Sequence, residues 1–286
     1  MSQNSKNRIV DYTAAFIVLI AVFICLVPFL YILSQSLSSN RAIISQAVTI
    51  YPIDFNIEAY KVVFGDAGML YSLFYTVILT AVFVLLALTV TILAAYPLTK
   101  KRLKGRNVLL LMMLFTMYFS GGLIPDYLNV KNLSLLNTPL ALVLPGMMSV
   151  YYMIILKSFF QSLPDSLEEA AHLDGCNELQ ILLKIVLPLS KPALATVSLL
   201  YAVFRWNYFQ DALFYITDQN LYTIQLKLYN VINISQQMSG ENVNVNLPSE
   251  ALKAASIMFG TVPILLVYPW LQKYFVSGIM IGAVKG

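Results

Sequence analysis

The chain has 286 residues, 59% of them apolar and 11% charged, with a formal net charge of +4 and a mean hydropathy of +0.74. Soluble domains carry about 25% charged residues, so this composition excludes one and describes a chain that mostly faces lipid. Two cysteines, Cys25 and Cys176, fall in different segments, which excludes a disulfide framework and leaves no ligand set for a metal.

Six apolar runs predict spans at 13–33, 70–98, 108–124, 139–160, 193–213 and 254–274, and hence an all-α membrane protein. The short alternating segments of a membrane barrel are absent. The first run follows Lys6, Arg8 and Asp11, exceeds the ~7–15 residues of a signal core and lacks a small-residue cleavage site, so it reads as a retained span. The second, at ~1.5 Å per residue, reaches ~43 Å against a ~30 Å hydrocarbon core and must tilt or project. Between the third and fourth runs, Gly121, Gly122, Pro125 and Pro139 exclude one straight helix. "QQMSGENVNVNLPSE" reads as a mobile outer loop, and no internal repeat or low-complexity tract occurs.

Orientation follows from the cations. With the N-terminus inside, twelve of the 18 Lys and Arg residues are cytoplasmic, including the dense "KKRLKGR" from Lys100 to Arg106. Both termini are therefore expected in the cytoplasm. The basic loop reads as a topology determinant or an anionic-lipid contact rather than a nucleic-acid site.

Between the fourth and fifth spans lies "SLPDSLEEAAHLDGCNELQILLKIVLPLSKP". Asp165 and Glu168 have capping-box spacing, which predicts a short helix over 166–174. Gly175 supplies the left-handed residue that ends it. Asn177 and Gln180 form a second box, opening a helix that ends at Pro188. On the first helix Leu167, Ala170, Ala171 and Asp174 are expected on one face, with Glu168, Glu169 and His172 toward its sides. Two readings fit: a re-entrant turn held by its own spans, or a docking helix that needs a partner because two turns are marginal alone. His172, the one histidine, reads as a contact or solvated side chain rather than a catalyst or ligand.

"EEAAHLDGCNELQILLKIVLPL" resembles the EAA loop of binding-protein-dependent ABC importer permeases. Glu169, Ala170, Ala171, Gly175, Ile185, Leu187 and Pro188 occupy matching positions, and Cys176 stands where the family usually has alanine. "GGLIPDYLNVKNLSLLNTPLALVLPG" and "YPWLQKYFVSGIMIGAVKG" resemble the branch that imports complex carbohydrates, oligosaccharides and polysaccharide fragments among them. The resemblance implies a type I importer permease fold with six transmembrane helices in the bacterial cytoplasmic membrane. It divides the chain into an N-terminal segment, first helix and outer loop (1–69), a core transmembrane domain (70–275) with its coupling loop at 162–190, and a cytoplasmic tail (276–286). It also implies that Glu168, Glu169, Ala170, Ala171, His172, Asp174 and Gly175 couple to an ATPase subunit, with Glu169 meeting a basic group there. Asp165, Ile185, Leu187 and Pro188 would shape the loop. The implied partners are a second, homologous permease, two ATP-binding subunits, an extracytoplasmic solute-binding protein, the carbohydrate and membrane lipid. ATP and Mg would bind the partner ATPase, since this chain has no G-x-x-x-x-G-K-[ST] loop.

Near the outer end of the fifth span stand Arg205, Trp206, Asn207, Tyr208, Gln210 and Asp211. Polar groups at this depth face protein or a water-filled cavity. Aromatic faces beside amides and carboxylates suit a sugar ring, whose C–H faces stack while its hydroxyls hydrogen-bond. An interfacial aromatic belt explains the same residues. Trp206, Asn207, Tyr208 and Tyr152 are the candidates for a substrate path. An ion-coupled carrier or channel is the alternative function, but such proteins commonly carry mid-span charges, and residues 71–96 and 109–119 hold none. An intramembrane enzyme lacks a catalytic set, H-E-x-x-H included.

Overall fold

The structure, a computed structural model, describes residues 3–238 and 250–283; residues 1–2, 239–249 and 284–286, which include most of the expected outer loop and the end of the tail, lie outside it. Among the described residues there is no strand. The longer helices are α1 (Gln3–Ser36), α2 (Asn40–Ile44), α3 (Glu58–Gly65), α4 (Ala67–Ala95), α5 (Arg106–Tyr118), α6 (Leu123–Asn132) and α7 (Val150–Phe160). There follow α8 (Asp165–Leu173), α9 (Glu178–Leu189), α10 (Lys191–Asn207), α11 (Gln210–Tyr215), α12 (Ile224–Met238) and α13 (Glu250–Ala283).

Two helical stretches, Tyr12–Ser36 and Ala67–Thr99, are each long and apolar enough to cross a membrane. The number rises to four if each of two bent pairs, α5 with α6 (113°) and α9 with α10 (82°), forms one span. The expected fourth span, 139–160, is helical only as a 3-10 turn at Pro139–Leu142 and as α7. Pro139 and Pro145 withhold backbone donors, and residues before a proline disfavour the helical region. The third and fifth runs break as well, at Phe119 and at Tyr208–Phe209.

One compact unit comprises the described residues of 1–70 and 227–262. Along Tyr12–Ser36 none of the most apolar window is buried by the rest of the chain. Serines organise the C-terminal end of α1, where the last carbonyls need partners. Ser38 Oγ donates to Ser34 O (2.6 Å) and accepts from Ile53 N–H (3.0 Å), while Ser36 Oγ meets Tyr60 OH at 2.8 Å. Asn40 Oδ1 accepts from Glu250 N–H at 3.0 Å, above a small cluster of Ala42, Ile43, Val48 and Ala251.

A second unit comprises the described residues of 71–226 and 263–286. Its apolar core has two foci: one around Phe83, Leu142, Val197 and Tyr201, the other around Tyr96, Met153, Leu156, Ile181 and Val186. Tyr201, 1% exposed, ties three segments of the first focus together. Its hydroxyl lies 2.7 Å from Thr91 Oγ1 and accepts from Ser149 N–H at 3.1 Å. Because Thr91 Oγ1 already donates to Ala87 O (2.7 Å), the Tyr201 hydroxyl is the donor to Thr91. Tyr201→Phe therefore leaves a half-buried N–H and a buried hydroxyl oxygen each short of a partner, at a cost of about 1–3 kcal/mol. Thermal unfolding of the detergent-solubilised protein should show a lowered midpoint for Tyr201→Phe; an unchanged midpoint would mean that the hydroxyl is not the joint.

Candidate functional site

Helix α8 begins one residue earlier than its sequence suggests. Pro164 is the N-cap and makes no side-chain cap bond, so Asp165 is the first helical residue. The expected Asp165–Glu168 capping box is absent because Pro164, which has no side-chain oxygen, takes the N-cap position and Asp165 lies inside the helix. Asp165 lies 3.9 Å from Lys101 in an exposed pair, and Glu168 pairs with Lys100. Both acids still sit in the first turn, where the helix dipole favours them.

The C-terminal end follows the expectation. Gly175 has φ +80°, its N–H bonds His172 O (3.0 Å), and Cys176 N–H bonds Ala171 O (2.9 Å), which together make a Schellman motif. A Cβ at Gly175 would meet nothing within 4 Å, so the requirement for glycine is purely conformational.

The two alanines, about 100° apart around the helix, differ in burial, so the expected face is not one uniform surface. Ala171, 5% exposed, packs into the core focus that holds Tyr96, Leu156 and Ile181, whereas Ala170 and Glu169 are exposed. Leu173 is 89% exposed, so the outward surface is Glu169, Ala170 and Leu173, and Asp174 is the C-cap. Leu173, one turn after Glu169 at the end of so short a helix, was the signal for this, since residues i and i+4 share a face.

Glu178, at the start of α9, gathers four groups. Arg102 Nη2 donates to it, Tyr96 OH donates at 3.0 Å, His172 Nε2 lies at 3.3 Å and Lys100 Nζ at 3.8 Å. Lys100 also pairs with Glu168 and sits 4.3 Å from the centroid of the Tyr96 ring. The basic loop thus clasps the segment around α8, a role that the topology reading missed. Opposite charge in two loops assigned to one side of the membrane was the available clue. His172 is a contact side chain, as its sequence context suggests. A cavity of ≈ 410 Å³ opens beside this cluster, bordered by Lys100, Gln161, Glu168, Glu169 and His172.

Asn177 and Gln180 do form a capping box, with Gln180 N–H to Asn177 Oδ1 and Asn177 N–H to Gln180 Oε1 both 2.9 Å. The helix then widens into a π turn over Leu182–Val186, with Leu187 N–H bonding Leu182 O. Pro188 has no N–H and its ring crowds the carbonyl a turn earlier, and a wider turn relieves that crowding. The helix runs one residue past Pro188 to Leu189, and the chain bends at Ser190. Ile185 and Leu187 pack against the core focus that holds Ala171.

At the other focus, Arg205 is 2% exposed and bonds both oxygens of Asp211 as well as Leu142 O (2.9 Å) and Tyr208 O (2.8 Å). These bonds fix the end of α10 against α11 and the 3-10 turn. Of the four substrate-path candidates, Tyr208 alone borders the ≈ 410 Å³ cavity there. Trp206 is 5% exposed and outside the lining. The Asn207 amide turns back onto Val203 O (2.8 Å), and Tyr152 packs edge-on against Tyr201 at 4.7 Å. No group of three metal-ligating side chains occurs among the described residues.

The left-handed turn gives a direct prediction. Gly175→Val should cost about 1–2 kcal/mol, while Gly175→Asn, which visits that region readily, should cost less. Hydrogen exchange of the amides at 168–176 should therefore quicken roughly five- to thirtyfold in Gly175→Val and little in Gly175→Asn, since local opening follows the free energy. Equal exchange in all three proteins would deny the turn its role.

Residues 74–281 match the family model described as binding-protein-dependent transport system inner membrane component. The polygalacturonan/rhamnogalacturonan transport system permease protein YtcP of Bacillus subtilis (strain 168) is 40% identical over 98% of this chain and 100% of its own. Protein LplC of the same organism is 44% identical over 92% and 90%. A chain from the crystal structure of a bacterial ABC transporter involved in the import of the acidic polysaccharide alginate superposes with a TM-score of 0.82 at 33% identity, covering 96% of this chain and 99% of that one. Full-length likeness in sequence and fold, with an EAA-type helix ended by a left-handed glycine, has one consequence: this chain belongs to the family of binding-protein-dependent transport system inner membrane components, the permeases of ABC importers.

Proposed function

We propose that this chain is one of two homologous permeases in an ATP-driven importer of a complex carbohydrate, with six spans and both termini in the cytoplasm. Two bent pairs and the short α7 would supply spans that no single straight helix supplies. The substrate class is taken from relatives whose names specify polygalacturonan and rhamnogalacturonan, arabinooligosaccharides, and melibiose, raffinose and stachyose. An extracytoplasmic binding protein would deliver the glycan. ATP and Mg would act on two separate ATPase subunits, and membrane lipid would cover the apolar helices. No role for nucleic acid is proposed.

The observation that carries this reading is the outward surface of α8. A nine-residue helix that presents Glu169, Ala170 and an almost fully exposed Leu173 to water has the form of a plug without its socket. Ala170 permits close approach, Leu173 offers apolar area, and Glu169 offers a charge to a basic group of the ATPase. The inner surface, Ala171 and Glu168, holds the plug to the permease. A push on α8 then moves the helices behind it as one body.

The two faces separate by mutation. Leu173→Asp and Glu169→Lys alter the outward face alone, so both proteins should insert and fold while substrate-stimulated ATP hydrolysis by the reconstituted importer falls at least about tenfold, the scale of ~1.4 kcal/mol. Wild-type stimulated turnover in both variants would reject α8 as the coupling element.

A further inference from the structure

The cavity beside Tyr208 has a chemistry of its own. Its ≈ 410 Å³ lies within the ~300–1,000 Å³ typical of small-molecule sites. One wall is aromatic: Phe204 and Tyr208 stack with centroids 5.1 Å apart and planes at 21°, and Tyr215 adds a third ring. Another wall is α6, where Asp126 and Asn129, three residues apart and so on one face, both border the space and are exposed. Apolar platform on one side and hydrogen-bonding groups on another are what a pyranose ring requires.

The charges narrow the choice of sugar. Among the residues bordering the cavity, Arg205 is the one cation, and its terminal nitrogens are committed to Asp211, Leu142 O and Tyr208 O. Its Nε–H alone is without a partner, so it can offer a carboxylate one buried donor but no two-pronged fork, and freeing the terminal nitrogens would strand a buried charge. Asp126 adds a negative charge that no bordering cation offsets. A uronate entering here would meet the Asp126 charge with no uncommitted cation to answer it, whereas uncharged hydroxyls would find acceptors in Asp126 and Asn129.

We propose that this cavity is a subsite for an uncharged pyranose of the transported glycan, with Asp126 as the group that disfavours uronates. The proposal rests on the reading of the chain as a carbohydrate permease and makes it narrower than the names of its acidic-polysaccharide relatives would suggest.

The test uses the assembled importer in nanodiscs without its binding protein, so that the binding protein's own selectivity does not enter. Saturation-transfer NMR would measure binding of trisaccharide pairs that differ only in oxidation at C6: glucose with glucuronate, galactose with galacturonate, mannose with mannuronate. At least one neutral member should bind more tightly than its uronate partner. Tyr208→Ala should weaken that sugar about five- to tenfold, and Asp126→Asn should bring the matching uronate to within a few-fold of the neutral sugar. Asn129→Asp, which adds a second charge on the same face, should widen the gap. A uronate that binds wild type as well as its neutral partner, or a ratio unmoved by Asp126→Asn and Asn129→Asp, would overturn the proposal, as would the lack of any sugar binding. ATP-driven uptake by the complete importer separates the two levels. Glycan uptake with a cavity that fails these tests rejects the subsite alone, and no uptake of any glycan rejects the underlying reading.

Discussion

The arrangement depends on an ionic clasp between the turn after α4 and the segment around α8. Lys100 and Arg102 reach Glu168 and Glu178, and Tyr96 supplies both a hydroxyl to Glu178 and a ring face to Lys100. A nine-residue helix has little stability of its own. Its order comes from the buried Ala171, the glycine-ended turn and this clasp. Exposed ion pairs contribute only about 0–1 kcal/mol each. Lys100 is better placed than most, since its side chain is 14% exposed and has two acids within reach. The consequence is mechanical more than energetic: the end of α4 and α8 are held as one body.

From there a chain of packed groups leads to the other focus of the same unit. Ala171 joins Leu156 and Met153 of α7 and Ile181 and Val186 of α9. Further along, Tyr201 joins α10 to Thr91 of α4 and to the start of α7, and Arg205 closes the end of α10 onto α11. Breaking one partner of a buried pair such as Arg205–Asp211 costs about 3–5 kcal/mol, so that end resists local rearrangement. On the proposed function, stiffness at both foci allows a displacement at α8 to reach the cavity lined by Tyr208 instead of dissipating between them. Contiguous packing supplies the route.

Much of this was legible in the residues. Apolar runs located the two long straight membrane helices, Gly175 located the turn, and Asn177 with Gln180 located the second helix start, because each is read from a local pattern. What escaped was decided by long-range competition. Asp165 and Glu168 have capping-box spacing, yet the helix starts one residue early at Asp165 and Lys100, 68 residues away in sequence, takes the Glu168 side chain. Ala170 and Ala171 read as one surface, yet packing against other helices buries Ala171 and leaves Ala170 exposed. Trp206 looked like a sugar platform by residue type, and tertiary packing buries it. The run 139–160 read as one span, yet Pro139 and Pro145 keep its first half from being α-helical, and an apolar run does not reveal where a helix inside it begins.

The central claim is that the clasp transmits force through its charges. A double-mutant cycle on Lys100→Glu and Glu168→Lys, read as sugar uptake per ATP hydrolysed by the reconstituted importer, tests this most directly because the double variant restores the pair with its signs exchanged. Each single reversal should lower the ratio several-fold while ATP hydrolysis continues, and the double reversal should recover part of it, since the exchanged pair re-forms while Glu178 then faces a like charge at position 100. Single reversals that keep wild-type coupling, or a double variant no better than the worse single, would contradict the account.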